Sequence, residues 1–182
     1  GIVMWVLFGY SLSFAPSGNA FIGDFRWLGL EGVSLTEGYT DDASIPNMVF
    51  SAFQMMFAVI TPALITGAVA GRMKFKSIFV FTIFWSLIVY YPLAHMVWGQ
   101  GGFLGADGIG ALDFAGGDVV HISSGVSALV LCILLGKRHD YEHSIYRIHN
   151  IPTVVLGASL LMFGWSGFNA GSALAADGLA AH

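Results

Sequence analysis

Charged residues are scarce in this chain. Asp, Glu, Lys and Arg make up only 10% of its 182 residues, whereas a soluble domain carries about 25%. Basic residues are especially few, and the seven Lys and Arg leave a formal net charge of -4, which argues against nucleic-acid binding. Hydrophobic residues reach 56% and the mean hydropathy is +0.76. The sequence therefore predicts an integral membrane protein.

Cysteine and the common catalytic patterns are also nearly absent. The single Cys132 lies in an apolar run and cannot form an internal disulfide, so we expect it to be a small packing residue. The apolar segments contain no Ser-His-Asp order, no phosphate-binding loop and no pair of catalytic carboxylates. We therefore expect that the protein is not an enzyme and needs no cofactor.

Long uncharged stretches predict the membrane-spanning helices. A bilayer core needs about 20 consecutive apolar residues in a helix, and four stretches are long enough. A fifth, at the start of the chain, is too short and lacks a signal peptide's basic region, so it resembles the second half of a cut helix. We expect an all-α polytopic bundle, a single membrane domain over residues 1–182, as a fragment of a longer protein. The expected spans are 1–14 (partial), 46–71, 77–99, 115–136 and 152–175.

Basic residues indicate the orientation of these spans. Six of the seven Lys and Arg lie in loops 72–76 and 137–151, and cytoplasmic loops are the ones enriched in basic residues. The two loops alternate with the others along the chain, so they lie on one face of the membrane. We expect loops 72–76 and 137–151 to be cytoplasmic, and loops 15–45 and 99–112 to be extracellular or periplasmic.

The segment from Asp113 to Arg138 is the most informative part of the sequence. It is rich in Gly, Ser and Ala, which let helix backbones approach closely in lipid. His121 is an ionisable group inside it and a functional candidate by default, although a structural histidine is the alternative. We expect Asp113 to cap the helix by accepting backbone N–H bonds, the alternative being direct contact with a cation.

Aromatic residues are placed near the outer ends of the predicted spans. Phe53 and Phe57 are four residues apart and lie on one side of their helix, while Trp98 and Ser172 end two other spans. Taken singly, each has a plain explanation as packing, interfacial anchoring or helix-to-helix hydrogen bonding. Together, aromatic faces and a hydroxyl at one mouth suit a small cation.

The remaining histidines offer a weaker hypothesis. His139 and His143 have the spacing of a helical metal-binding pair, but their loop contains neither cysteine nor an HExxH pattern. His95 lies near the predicted interface, where a structural role is expected. An intramembrane metalloenzyme using these residues with His121 and His149 is the alternative, but His121 and the loop group lie at opposite ends of one span. We therefore predict no metal site.

The motifs taken together resemble those of the ammonium transporter (Amt/Mep/Rh) family, and its Amt/Mep branch most closely. They occur in the family's order and extend over essentially the whole chain. The matching segments are Ala52-Phe53-Gln54 with Phe57, Ala94-His95-Met96-Val97-Trp98-Gly99, Asp113-Phe114-Ala115-Gly116-Gly117 with Val119-Val120-His121, Gly136-Lys137-Arg138, His149-Asn150-Ile151-Pro152, and Gly164-Trp165 with Gly167-Phe168-Asn169-Ala170-Gly171-Ser172.

The resemblance implies a homotrimer in the lipid bilayer of the cell membrane, with a pore in each subunit. Two inverted five-helix halves build such a pore, and this chain would hold the end of the second helix through the sixth. The implied substrate is ammonium or ammonia, with methylammonium as an analogue, and a cytoplasmic regulatory protein is an implied partner. An ammonium sensor with the same type of membrane domain is the alternative.

The resemblance also assigns roles to residues. By similarity, Phe53, Phe57, Trp98 and Ser172 form the outer recruitment site for ammonium. Phe57 and Phe168 form an aromatic gate beneath this site. Ammonium is expected to lose its proton before the apolar pore, because burial disfavours the charged form of an amine.

Four further positions complete the implied site. Trp165 lines the pore, and His121 matches the first of two pore histidines, the second of which lies outside this chain. Asp113 matches a buried aspartate that supports the outer site structurally and electrostatically. Asp118 stands where the family often has Ser or Thr, and it is not one of the implied transport residues.

Overall fold

The structure is a computed structural model that describes residues 1–16, 19–106, 108–138, 140–143, 145 and 148–182. His139, half of the predicted metal-binding pair, lies outside the described residues, as does Arg147 of the second basic loop.

Helices account for the regular structure. Helix α1 covers Ile2–Phe14, and four longer helices follow, each apolar enough to cross a membrane. The prediction of an all-α polytopic membrane protein is confirmed, since the described ranges contain one isolated bridge, between Gly38 and Pro46, and no strand. The long helices are α2 (Asn47–Val69), α3 (Phe75–Trp98), α4 (Gly117–Leu135) and α5 (Ile151–Gly171), and a short α6 (Gly178–Ala181) ends the chain.

Local sequence accounts for where these helices begin and end. Pro46 immediately precedes α2, and Pro152 occupies the first turn of α5, where a missing N–H costs nothing. The Asn150 side chain accepts the backbone N–H of Thr153 and so caps α5. 

Helix α5 ends at Gly171, four residues before the predicted end, and Leu174 beyond it has a positive φ of 55°. A positive φ lies outside the right-handed helical region of the backbone. The chain therefore turns away from the helix after Ser172.

Three stretches of the helices are π-helical rather than α-helical. They cover Trp5–Gly9, Ser86–Tyr90 and Gly117–Ile122. A π-helical turn accommodates an extra residue and is frequent at functional sites. The third stretch contains His121. Helix α4 begins at Gly117, two residues after the start of the predicted span 115–136, and its first six residues form the wider π-helix.

The core lies where α1, α2 and α3 meet. It is strongly aromatic, with Trp5, Tyr10, Phe14 and Tyr91 nearly inaccessible to solvent. Gly9 permits this packing, because a Cβ atom there would lie 2.7 Å from Cζ of Tyr91. By contrast, α5 has no buried residue. The described helices therefore leave α5 with apolar surface for lipid or further protein to cover.

Candidate functional site

The carboxylate of Asp113 organises the start of α4. It accepts four backbone N–H groups, those of Gly116, Gly117, Asp118 and Val119, at 2.5 to 2.9 Å. The first N–H groups of a helix have no partner within the helix itself. Asp113 supplies that partner from outside the helix, as the capping hypothesis expects.

Gly116 makes this arrangement sterically possible. Its φ is +98°, a conformation that L side chains rarely adopt. A Cβ atom at this position would also lie 2.7 Å from Cγ2 of Val120. The glycine therefore lets the chain turn from Asp113 directly into the helix that carries His121.

A cavity of about 330 Å³ opens beside Asp113, and we name it the outer cavity. It contains all four residues that the sequence assigned to the recruitment site. Residues of the loop before α2 contribute to it as well. Its lining residues are Tyr39, Thr40, Phe50, Phe53, Gln54, Phe57, Trp98, Asp113, Phe114, Ser172 and Leu174.

Aromatic rings are in direct contact within the outer cavity. Phe57 lies with its ring centroid 5.6 Å from that of Trp98 and 5.0 Å from that of Phe53, both edge to face. The indole N–H of Trp98 donates to the carbonyl oxygen of Asp113 at 2.9 Å, which fixes the orientation of this ring. The cavity therefore presents aromatic surface in a defined geometry.

Ser172 contributes an oxygen to the same cavity. Its hydroxyl donates to the carbonyl oxygen of Phe168, one turn earlier in α5, at 2.8 Å. This bond uses the hydroxyl hydrogen, so the lone pairs of the oxygen can accept hydrogen bonds. The bond lies within α5 and is not the helix-to-helix bond considered as one explanation of this residue.

The rings of Phe57 and Phe168 form a pair between the outer cavity, which Phe57 lines, and a second cavity, which Phe168 lines. Their ring centroids are 4.5 Å apart, and Phe57 is 2% exposed. The second cavity, which we name the inner cavity, measures about 360 Å³. Its lining residues are Leu112, Asp113, Phe114, Ala115, Gly117, His121, Trp165, Phe168 and Asn169.

Aromatic packing continues into the inner cavity. Trp165 stacks on Phe168 at 4.8 Å between centroids, and the His121 ring lies 5.8 Å from that of Trp165. The structure thus brings His121 and Trp165 together on the side of the phenylalanine pair away from Trp98. Each sequence-predicted site residue therefore lines one of the two cavities.

His95 lies away from both cavities. It is completely buried, with Nδ1 3.1 Å from the carbonyl oxygen of Ser13 and Nε2 2.8 Å from that of Asn19. These contacts tie α3 to the end of α1 and the following loop. Among the residues that the structure describes, no group of three or more His, Cys, Asp or Glu side chains could hold a metal ion.

Sequence reasoning missed several residues of the outer cavity. Gln54 belongs to a matching motif but has no predicted role, although it lies three residues before Phe57 and hence on the same side of α2. Nothing in the sequence indicated that Tyr39 and Thr40 line the cavity, because loop residues follow no hydrophobic periodicity. Burial of Tyr39 raises the pKa of its phenol to about 12.

Comparison with known proteins decides the family. The family model described as the Ammonium Transporter Family matches residues 1–182. The chain belongs to the ammonium transporter family. An ammonium transporter of Bacillus subtilis (strain 168) is 54% identical over 178 residues, which cover 98% of this chain and 42% of that protein.

Solved structures agree with this assignment to the ammonium transporter family. Mep2 of Candida albicans is 37% identical with a TM-score of 0.80, and the match covers 95% of this chain and 38% of that one. A structure named Sensor Amt Protein is 31% identical with a TM-score of 0.79, covering 99% of this chain and 45% of that one. This chain therefore spans about two fifths of the length of these relatives.

Membership establishes the class of protein. The chain is part of a multi-pass membrane protein, as its four long apolar helices also indicate. The family is named for transport and not for an enzymatic reaction.

Proposed function

We propose that the protein containing this chain transports ammonium across the membrane through a hydrophobic pore within each subunit. The observation that carries the proposal is the outer cavity. In it the ring centroids of Phe57 and Trp98 lie 5.6 Å apart, and Ser172 lines the same cavity. An aromatic face attracts a desolvated cation by about 0.5–2 kcal/mol. The outer cavity would recruit ammonium ion by this attraction, with Phe53 adding to the aromatic wall.

The phenylalanine pair is the proposed gate. Phe57 and Phe168 pack against each other between the two cavities, so a hydrated ion cannot pass without their displacement. Burial disfavours the charged form of an amine, and ammonium would therefore give up its proton before the apolar path. The proton would either return to water at the outer mouth or cross by a separate path. Ammonia would then pass Trp165 and His121. A neutral imidazole offers one donor and one acceptor without adding a fixed charge.

Asp113 stabilises the outer cavity through its contacts with the protein backbone and with Trp98. Its carboxylate is occupied by four backbone N–H groups, and its carbonyl oxygen holds the Trp98 indole. We therefore assign it a structural and electrostatic role and not direct coordination of the substrate.

We further propose a homotrimer in the cell membrane. The basic loops 72–76 and 137–151 would face the cytoplasm, where a regulatory protein could contact them, and loops 15–45 and 99–112 would face outward. Ammonium sensing is a second candidate function, favoured by the likeness to a structure named Sensor Amt Protein.

Uptake of methylammonium tests the proposal. Full-length protein, restored from the parent gene, is expressed in cells that lack their own ammonium transporters. Trp98→Leu should raise KM by about twofold to thirtyfold, because it removes one aromatic face worth about 0.5–2 kcal/mol. His121→Ala should fold normally and change the rate or the selectivity against other monovalent cations.

The matched control is Phe103→Leu, which removes an exposed aromatic residue of the outer loop that does not line either cavity. Its KM should equal that of the wild type. An unaltered KM in Trp98→Leu would contradict the recruitment role. Ammonium binding without uptake, in protein shown to reach the membrane, would favour the sensor.

A further inference from the structure

Gln54 places a buried amide in the wall of the outer cavity. It lies on α2 between Phe53 and Phe57, and its side chain is part of the same lining. The residue is 7% exposed. Its Oε1 atom is buried and has no hydrogen-bond partner among the residues that the structure describes.

An unpaired buried carbonyl oxygen is unusual. Most buried polar side-chain atoms have a partner, and leaving one unpaired costs about 1–3 kcal/mol. Other buried polar residues of α2 follow this rule: the Thr61 hydroxyl donates to the carbonyl oxygen of Phe57, and the Asn47 side chain accepts from the hydroxyl of Tyr10. Gln54 departs from the rule at the point where α2 faces the cavity.

A cation bearing N–H groups needs acceptors that replace its water. Asp113 does not offer a free carboxylate, because four backbone N–H groups already bind it. Aromatic rings attract charge but accept N–H groups only weakly. Gln54 and Ser172 belong to the same lining, and each carries a side-chain oxygen that can still accept an N–H group.

We propose that Oε1 of Gln54 accepts a hydrogen bond from ammonium or methylammonium in the outer cavity, which makes Gln54 a substrate-binding residue. The inference rests on the proposed function and deepens it. Rotation about the terminal side-chain bond turns the amide oxygen without moving the backbone. The aromatic rings supply attraction for charge, and Gln54 supplies a directional acceptor for N–H.

The test compares two substitutions in the full-length protein. Gln54→Leu removes the acceptor and should raise the KM for methylammonium uptake about tenfold, with little change in kcat, since a hydrogen bond to a charged group is lost. Its thermal midpoint should equal or exceed that of the wild type, because the unpaired oxygen is removed as well. Gln54→Glu keeps an oxygen acceptor of similar shape and should recover most of the affinity.

Met56→Leu is the control on the same helix, since Met56 is 55% exposed and outside the cavity. An unchanged KM in Gln54→Leu would overturn the inference and leave water as the partner of the oxygen. A lowered thermal midpoint in both Gln54 variants with unchanged KM would also overturn it, in favour of a structural role.

Calorimetric titration with ammonium separates this inference from the proposed function. Wild-type protein that binds ammonium without uptake would overturn transport, and Gln54 would then be judged by a roughly tenfold rise in Kd in Gln54→Leu. Wild-type protein that neither binds nor takes up ammonium would overturn both proposals. Uptake by the wild type with no effect of Gln54→Leu would overturn only the role of Gln54.

Discussion

Individual residues of the site act through bonds that sequence reasoning could foresee only in part. Asp113 was expected to cap a helix, and its carboxylate accepts four N–H groups. That it also holds Trp98 through its backbone carbonyl depends on α3 lying beside this loop. One residue therefore positions both the Trp98 ring of the outer cavity and the start of the helix that carries His121.

Replacing Asp113 tests this role. Asp113→Ala should lower the free energy of unfolding by about 2 kcal/mol or more, because several N–H groups at the start of α4 lose a charged acceptor. Asp113→Asn keeps one acceptor oxygen and should lower the free energy of unfolding by a smaller amount. Thermal unfolding of the purified full-length protein measures both effects. Asp118→Ala is the matched control, and a loss as large as that of Asp113→Ala would contradict the capping role.

Tyr39 leads to a prediction about pH. Its ring stacks on Phe50 at 4.8 Å, and its hydroxyl accepts the backbone N–H of Gln100 at 3.1 Å. Burial raises its pKa to about 12, above the value of about 10 in an unfolded chain. The folded state therefore holds this proton more tightly, so the stability due to neutral Tyr39 is complete below pH 10 and is lost as pH rises toward 12.

Tyr39→Phe cannot ionise and serves as the reference for this effect. The difference in thermal midpoint between wild type and Tyr39→Phe should stay constant from pH 8 to about 10 and then shift against the wild type up to about 12. A difference that does not vary across this window would show that ionisation of Tyr39 is not linked to folding.

At the scale of the element, α4 departs from a regular α-helix at its start. Its first six residues are π-helical, and serine hydroxyls then bond back to carbonyls of the preceding turn. Ser123 and Ser124 donate to Val119 and Val120, at 2.5 and 2.6 Å. Composition predicts a closely packed helix here, but it does not predict the wider π-helical start.

The turn from the Asp113 loop into α4 depends on the positive φ of Gly116. Gly116→Ala should lower the free energy of unfolding by about 1–3 kcal/mol, because it combines a positive φ with a contact between Cβ and Val120. Gly67→Ala on α2 is the control, since Gly67 has open space around it and an ordinary helical φ. Thermal unfolding of both variants measures the difference. Equal midpoints in the two variants would contradict the strain at Gly116.

At the scale of the whole molecule, the two ends of the bundle differ in charge. The Arg72 guanidinium donates to the carbonyl oxygen of Gly136 at 2.8 Å, so the basic ends of α2 and α4 lie together. Asp113, Trp98 and Ser172 meet at the opposite end around the outer cavity. Which end faces the cytoplasm is a prediction from the positive-inside rule.

Cysteine labelling tests this orientation. In a full-length background in which every native cysteine, Cys132 included, is replaced by serine, Asp42→Cys and Lys76→Cys each introduce one exposed thiol, on opposite faces of the expected topology. A membrane-impermeant maleimide should label position 42 in intact cells and position 76 only after the cells are opened. Labelling of position 76 from outside would reverse the assignment of every loop.

The sequence by itself determined the fold class, the approximate spans and the chemical types of the site residues. It could do so because a bilayer demands long uncharged helices and because helical spacing places Phe53 and Phe57 on one side of α2. The family could also be recognised, because each of its motifs is a short run of neighbouring residues in the chain.

Only the tertiary structure decided which groups meet and which remain unpaired. The loop residue Tyr39 lines the outer cavity, and Oε1 of Gln54 has no hydrogen-bond partner in the part of the chain that the structure describes. His95 contacts two backbone carbonyl oxygens that lie far from it in the sequence. Such contacts join residues far apart in the chain, so local periodicity carries no record of them. The π-helical start of α4, which follows the Asp113 cap and the positive φ of Gly116, belongs here too, because no local pattern in the sequence distinguishes it from an α-helix.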